Sequence, residues 1–446
     1  MQPQSETIGR RPRIARAVSV HAGAHALPPT AGRRHPVGTL AAHRKSLVHQ
    51  MCLALVFLAV ASSGIVFTEP SPTDAISMGL VVLLPTVGLV AITPLLTGYL
   101  SAWLLAAAAG FFAATMAGDA GAPATFTFVS LYLYLSSFVI AAFIAKQPLA
   151  HTELILRAWL LAALLATAAG LVGYFNLLPG AFDMFTRFGR AAGTFKDPNV
   201  FGPFLVAPIL YALHVAINRT HLRAILPLAI AGVLALGVFL SYSRGAWLCL
   251  ALALAIYGWL AYVTAQSEQY RTRILLLLAV GAALIGAVIM IALQNDGIVE
   301  LLTQRASLTQ SYDVGPEGRF GGQEKAIGLI AENPFGIGAT IFTAVHHHEE
   351  VHNVYLSILL NAGWVGGGIY WIMTLLTIVL GLRYALTRTP AQPLLLIAYA
   401  AFVANAMEGI IIDLDHWRHV YLLMAIVWGI IAAVRHQAGT ACSGPT

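Results

Sequence analysis

The chain has 446 residues, 58% of them hydrophobic and only 10% charged, with a formal net charge of +6. Soluble domains use roughly 25% charged residues, so a chain this apolar cannot be hidden in one soluble globule. The positive balance then reports membrane orientation rather than nucleic-acid binding.

Residues 1–47 carry Arg10, Arg11, Arg13, Arg16, Arg33, Arg34, Arg44 and Lys45 against a single acid, Glu6. With its Pro, Gly and Ala, this segment reads as a disordered basic cytoplasmic tail lying against anionic lipid. An organellar transit peptide has a similar composition, and translation starting near Met51 is a further alternative. No cleavable signal peptide is expected, because the first apolar run continues as a full span.

Apolar runs then recur along the chain. Segments of about 20 residues with almost no charge are what a hydrocarbon layer about 30 Å thick demands. In lipid the backbone must bond within its own segment, which predicts helices, and the alternation of a membrane β-barrel is absent. The expected fold is all-α, a polytopic integral membrane protein with about twelve transmembrane helices. They fall at 49–67, 75–93, 97–116, 125–145, 155–176, 199–217, 222–241, 245–264, 273–293, 358–383, 391–412 and 418–435. Residues 48–293 thus hold the first nine helices, 294–357 form one large periplasmic loop insert, 358–436 hold the last three helices, and 437–446 form a cytoplasmic tail. The three cysteines, Cys52, Cys249 and Cys442, have neither metal-ligand nor disulfide-framework spacing.

An even number of crossings puts both termini on one side. With the basic tail in the cytoplasm, every acid except Glu6, Glu153 and Glu268 falls outside. The outer basic residues other than Arg418 then crowd into three hydrophilic gaps. Arg187, Arg190 and Lys196 lie in or just before GTFKDPN (Gly193 to Asn199), and Arg244 lies in SYSRGAW (Ser241 to Trp247). Arg305, Arg319 and Lys325 lie in the insert from Gln294 to His352. A guanidinium offers a planar fork of donors matched to phosphate oxygens and stays charged at any working pH. Several of them near a bilayer surface suit a lipid-linked diphosphate. The alternative is that they snorkel or pair with loop acids such as Asp183 and Asp313, which is weakest for Arg244, in a short loop with no acid nearby in sequence.

The insert ends in HHHEEVHN, from His346 to Asn353. His348 and His352 are four apart, a spacing that puts two imidazoles on one helix face and suggests metal. The run lacks the His-Glu-x-x-His register of metalloproteases, however, and no metal or other cofactor is expected. An imidazole titrates near pH 6.5, so His352 is a candidate general base for a sugar hydroxyl. Asn353 and the apolar Val354, Tyr355 and Leu356 anchor it at the membrane surface, whereas His346 to His348 read as solvated loop residues.

Four ordered blocks, GTFKDPNVFG (193–202), SYSRGA (241–246), Arg305 with Gly318-Arg319 and ENPFGIG (332–338), and HNVYL (352–356), resemble the O-antigen ligase/polymerase superfamily of bacterial envelope glycosyltransferases. The resemblance runs from about the fifth span to the end; the N-terminal third matches only as a hydrophobic pattern. Gln323 departs from it, standing where the family often has an aromatic. The resemblance implies a metal-independent, inverting enzyme of the bacterial inner membrane, acting at the periplasmic face. Its donor would be a glycan on undecaprenyl diphosphate, and its acceptor lipid A-core or a growing polysaccharide. Carried over by motif, His352 activates the acceptor hydroxyl, and Arg244 with Arg319 or Arg305 binds the diphosphate; Lys196, Arg190, Arg187 and Asn353 join the substrate-binding set. The ligase joins finished O-polysaccharide to lipid A-core, the polymerase joins repeat units, and a third branch builds exopolysaccharide; shared motifs do not choose among them. The lack of a soluble C-terminal domain disfavours the protein-glycosylating branch. A polysaccharide-lipid transporter or flippase is the rival from another class, but it should carry ionisable residues near the midplane and internal repeats, and neither is evident.

Overall fold

A computed structural model describes residues 37–219, 221–292, 294 and 315–442. The insert residue Arg305, most of the basic tail and the last residues of the C-terminal tail lie outside the described residues. Residues from Leu47 onward form the compact unit that holds the helical bundle.

Among the described residues the architecture is helical, with one hairpin of two-residue strands as its sheet. In chain order the helices are α1 (Val37–Ala61), α2 (Pro72–Thr86), α3 (Pro94–Met116), α4 (Gly121–Lys146), α5 (Pro148–Tyr174) and the short α6 (Ala181–Phe185). The hairpin strands β1 (Thr186–Arg187) and β2 (Arg190–Ala191) follow. Then come α7 (Pro198–Phe204), α8 (Val206–Ile217), α9 (Ile225–Leu240), α10 (Arg244–Thr264) and α11 (Glu268–Ala292). Beyond the undescribed stretch lie α12 (Arg319–Glu332), α13 (Val354–Ala385), α14 (Gln392–Glu408) and α15 (Arg418–Cys442).

Among the described residues nine helices are long and apolar enough to cross a membrane, and α2 and α14 are shorter apolar helices. The chain is a multi-pass membrane protein. Each of the twelve expected spans falls largely on helix, but a count of twelve crossings is not established, because α2 and α14 have only 15 and 17 residues. A stretch of 17 residues rises about 26 Å, short of the hydrocarbon thickness.

Burial separates interior from rim. The segments Pro198–Ile217 and Arg418–Ala438 are each 78% buried, against 28% for Leu222–Leu240. The interior elements are therefore α7–α8 and α15, with α15 packed on α4, α13 on α3 and α10 on α14. Several polar groups in this interior are paired, which a medium without water favours. Tyr99 bonds Ser137 at 2.6 Å, Ser137 donates to the Tyr421 carbonyl at 2.9 Å, and Trp428 donates to Thr377 at 2.8 Å.

Candidate functional site

Two of the sequence blocks turn out to be joints. In GTFKDPNVFG, Asp197 caps α7 by accepting the Asn199 N–H at 2.8 Å, with Pro198 at the first helical position. Gly193 has φ +58°, and a Cβ there would overlap the Ala166 carbonyl. A Cβ at Gly202 would overlap that of Ala246, so this glycine lets α7 touch α10. The block ENPFGIG docks on a break in α13: Ile337 N–H bonds the Leu360 carbonyl at 2.8 Å, and Trp364 N–H bonds that of Pro334 at 2.9 Å. Gly363, at φ +67° inside α13, makes the break.

These joints gather the loops at one end of the bundle. Arg190 donates from Nε to the Ser241 carbonyl at 2.6 Å and from Nη2 to Asn199 Oδ1 at 2.7 Å, tying the first gap to the second. Half-buried Arg244 opens α10, which is capped by Ser243. The Glu408 carboxylate, at the end of α14, lies against Gly245. The residue next to Arg244 thus packs against an acid supplied by a helix far away in sequence. The N-terminus of α13 meets the same end of α14, where Val354 N–H bonds the Gly409 carbonyl at 2.9 Å. Arg244 and His352 thus belong to one end of the molecule.

His352 is not on a helix with His348; residues 347–353 are irregular, and His352 has φ +52°. A left-handed β-substituted residue is strained and persists only where its surroundings hold it. Two clamps do so. The His352 N–H donates to Asp413 Oδ2 at 2.8 Å, and Gln323 Nε2 donates to the His352 carbonyl at 3.3 Å. Asp413 is itself fixed by the Ser357 hydroxyl. The imidazole Nε2 lies 3.8 Å from Glu349 Oε2. Burial and then the Arg319 charge hold His352 below the ordinary histidine value, opposed by Asp413, Glu349 and Asp197.

Beside it opens a cavity of about 490 Å³, lined among others by Lys196, Asp197, Glu350, Asp413, Asp415 and Arg418. Burial pushes the Asp415 carboxyl up to about 8, helped by Asp413 and Glu350. Burial also raises Glu350 and Asp413. Asp415 is therefore largely protonated near neutrality and can donate as well as accept a hydrogen bond.

The remaining expected site residues separate. Exposed Lys196 lies 3.4 Å from Glu69 at the cavity wall. Arg319 begins α12 and faces His352 electrostatically. Arg187 is exposed on the hairpin and bonds the Asp183 carbonyl at 3.1 Å. The oxygen of Asn353 caps α13, accepting from Tyr355 N–H at 3.1 Å and Leu356 N–H at 3.3 Å. Arg418, outside the three basic gaps, pairs through two 2.7 Å bonds with Asp74. Sequence reasoning missed Gln323 and the clamping of His352 by Asp413. The one signal for Gln323 was its departure from the family pattern.

Residues 229–371 match the family model described as O-antigen ligase. That segment contains SYSRGA, Arg319, ENPFGIG and HNVYL, so the resemblance read from ordered motifs is supported by the whole-family comparison. The chain is also 25% identical over 242 residues to a general O-oligosaccharyltransferase of Acinetobacter baylyi, covering 48% of this chain and 40% of that protein. The match thus spans well under half of the relative's length.

Proposed function

We propose that this chain, which carries an O-antigen ligase segment at residues 229–371, is a membrane glycosyltransferase of the O-antigen ligase type. It moves a glycan from undecaprenyl diphosphate to a hydroxyl of a lipid A-core acceptor, at the periplasmic face of the bacterial inner membrane and with both termini in the cytoplasm. His352 Nε2 takes the acceptor proton while the acceptor oxygen attacks the anomeric carbon. The bond from that carbon to the diphosphate oxygen breaks, its electron pair leaves with the diphosphate, and the anomeric centre inverts. Arg244 and Arg319, with Arg305, meet the charge growing on the leaving group, a task that preorganised cations perform without a metal ion. Lys196 and Arg187 steer the donor, and the acid-rich cavity receives sugar hydroxyls, which carboxylates bind by accepting hydrogen bonds. Arg190 and Asn353 serve by holding the loops in register.

The observation that carries this reading is the clamped, left-handed His352, held below its ordinary pKa beside Arg319 at the same end as Arg244. A base that is neutral at working pH next to cations fits diphosphate displacement. A relative named an O-oligosaccharyltransferase supports a hydroxyl acceptor. Transport is disfavoured because the ionisable midplane residues and internal repeats that a transporter should carry are not evident in the sequence.

A deletion strain tests the assignment. Loss of a ligase leaves bare core with lipid-linked polymer accumulating. Core bearing a single repeat unit would instead indicate a polymerase, and unchanged lipopolysaccharide would refute both.

A further inference from the structure

The histidine run upstream of His352 contains a cluster that the transfer reading does not use. Glu317, His347 and His348 each present a ligand atom within 4.8 Å of the others. His348 Nδ1 and Glu317 Oε2 are 3.4 Å apart. Ligands at zinc distances of about 2.0–2.2 Å in a tetrahedron are separated by about 3.3–3.5 Å, so that edge is already set. Only the third ligand has to close in.

His347 supplies a second, independent observation. Its side chain is 5% exposed, and its Nε2 is buried with no hydrogen-bond partner among the described residues. A buried polar nitrogen in that condition is costly unless something binds it. Its other nitrogen, Nδ1, lies 3.1 Å from both the carbonyl and the backbone N–H of Glu349. In the tautomer that donates to the carbonyl, Nε2 is left with an open lone pair, the arrangement of metal-bound histidines. The ring is further seated by stacking on Phe342 at 5.7 Å and by contact with Gly322, where a Cβ would come within 3.1 Å of it. Two imidazoles and one carboxylate are a zinc-type donor set, with a fourth position for water.

We infer that Glu317, His347 and His348 form a Zn²⁺ site that pins the histidine loop to the start of α12. The inference goes beyond the transfer reading and stands without it, and the ion takes no part in the transfer step. Its structural consequence runs through Glu349, whose Oε1 is 3.8 Å from His348 Nε2 and whose Oε2 is 3.8 Å from His352 Nε2. Anchoring His348 also steadies the carboxylate beside His352.

The test uses full-length protein purified in detergent without a polyhistidine tag, stripped with EDTA and titrated with Zn²⁺ and with Co²⁺. We expect one equivalent of Zn²⁺ to bind, Co²⁺ to give the visible absorption of a four-coordinate site, and hydrogen exchange across 346–352 to slow on loading. His347→Ala, His348→Ala and Glu317→Gln should each weaken binding at least tenfold, and His346→Ala should leave it unchanged. Gly322→Ala, which keeps all three ligands but displaces the His347 ring, should weaken it too and covers the case in which a ligand variant misfolds. Absence of stoichiometric binding, or binding equally strong in His347→Ala and His348→Ala, overturns the site. Transfer by stripped enzyme bears only on the function proposed above.

Discussion

Replacing Asp413 by alanine removes one of the two clamps on His352, and its effect can be worked out in advance. The left-handed backbone of His352 costs about 1–3 kcal/mol. A hydrogen bond from its N–H to a charged carboxylate returns about 1.5–3 kcal/mol, and the neutral bond from Gln323 about 0.5–1.5 kcal/mol. With both present the strain is covered; with Gln323 alone it is not. Losing the Asp413 bond should therefore depopulate the productive backbone by about 10- to 150-fold, at 1.4 kcal/mol per factor of ten. Because the residue acts through His352, the loss should appear in kcat with KM nearly unchanged. Asp413→Asn keeps a neutral acceptor oxygen and should lose only about fivefold, a difference of about 1 kcal/mol. The assay is transfer by purified protein at saturating donor and acceptor. If Asp413→Ala stays within twofold of the unaltered enzyme, the clamp argument is wrong.

The other predictions concern charge and packing. His352 sits below its ordinary value, so it remains a neutral base at pH 7, and activity should fall only as pH drops below about 6.5. Arg319→Gln removes a charge that lowers that pKa, so the acid limb of its pH–rate profile should move to higher pH; an unmoved limb would contradict the assignment. Arg244→Ala should cost about 10²–10³ in kcat, the usual range for losing a transition-state donor, while the protein still inserts normally. Breaking the Arg418–Asp74 pair, with side chains 21% and 9% exposed, should cost about 3–5 kcal/mol for either single alanine variant. The double variant should cost less than the sum of the two, as read by thermal denaturation in detergent. Gly193→Ala forces a Cβ into a left-handed position against the Ala166 carbonyl and should lower the melting temperature measurably.

The helical membrane class was legible from hydropathy because lipid leaves so few alternatives for a backbone. The number of crossings was not, since α2 and α14 are apolar but short and hydropathy does not measure where a helix ends. Much of what the motifs encode is architectural: Gly193, Gly202, Gly336 and Gly363 are sites where backbones meet or turn left-handed. Their glycines could be seen in the sequence, but their partners could not. The same holds for side chains. Arg190 brackets two loops and Asn353 caps a helix, contacts that the sequence could not show because their partners, Ser241, Asn199 and two backbone N–H groups, appear only once the chain is folded. Gln323 and Asp413 lie 29 and 61 residues from His352, and no local pattern joins them. The spacing of His348 and His352 suggested a shared helix face, but the left-handed turn at His352 breaks that periodicity.

The most direct measurement is reconstitution of purified protein in vesicles with an undecaprenyl-diphosphate glycan and a hydroxyl acceptor, and determination of the product's anomeric configuration. The account predicts a glycoconjugate of inverted configuration from the unaltered chain and none from His352→Ala. Product formed at an undiminished rate by His352→Ala, or donor carried across the bilayer with its sugar–diphosphate bond intact, would contradict it.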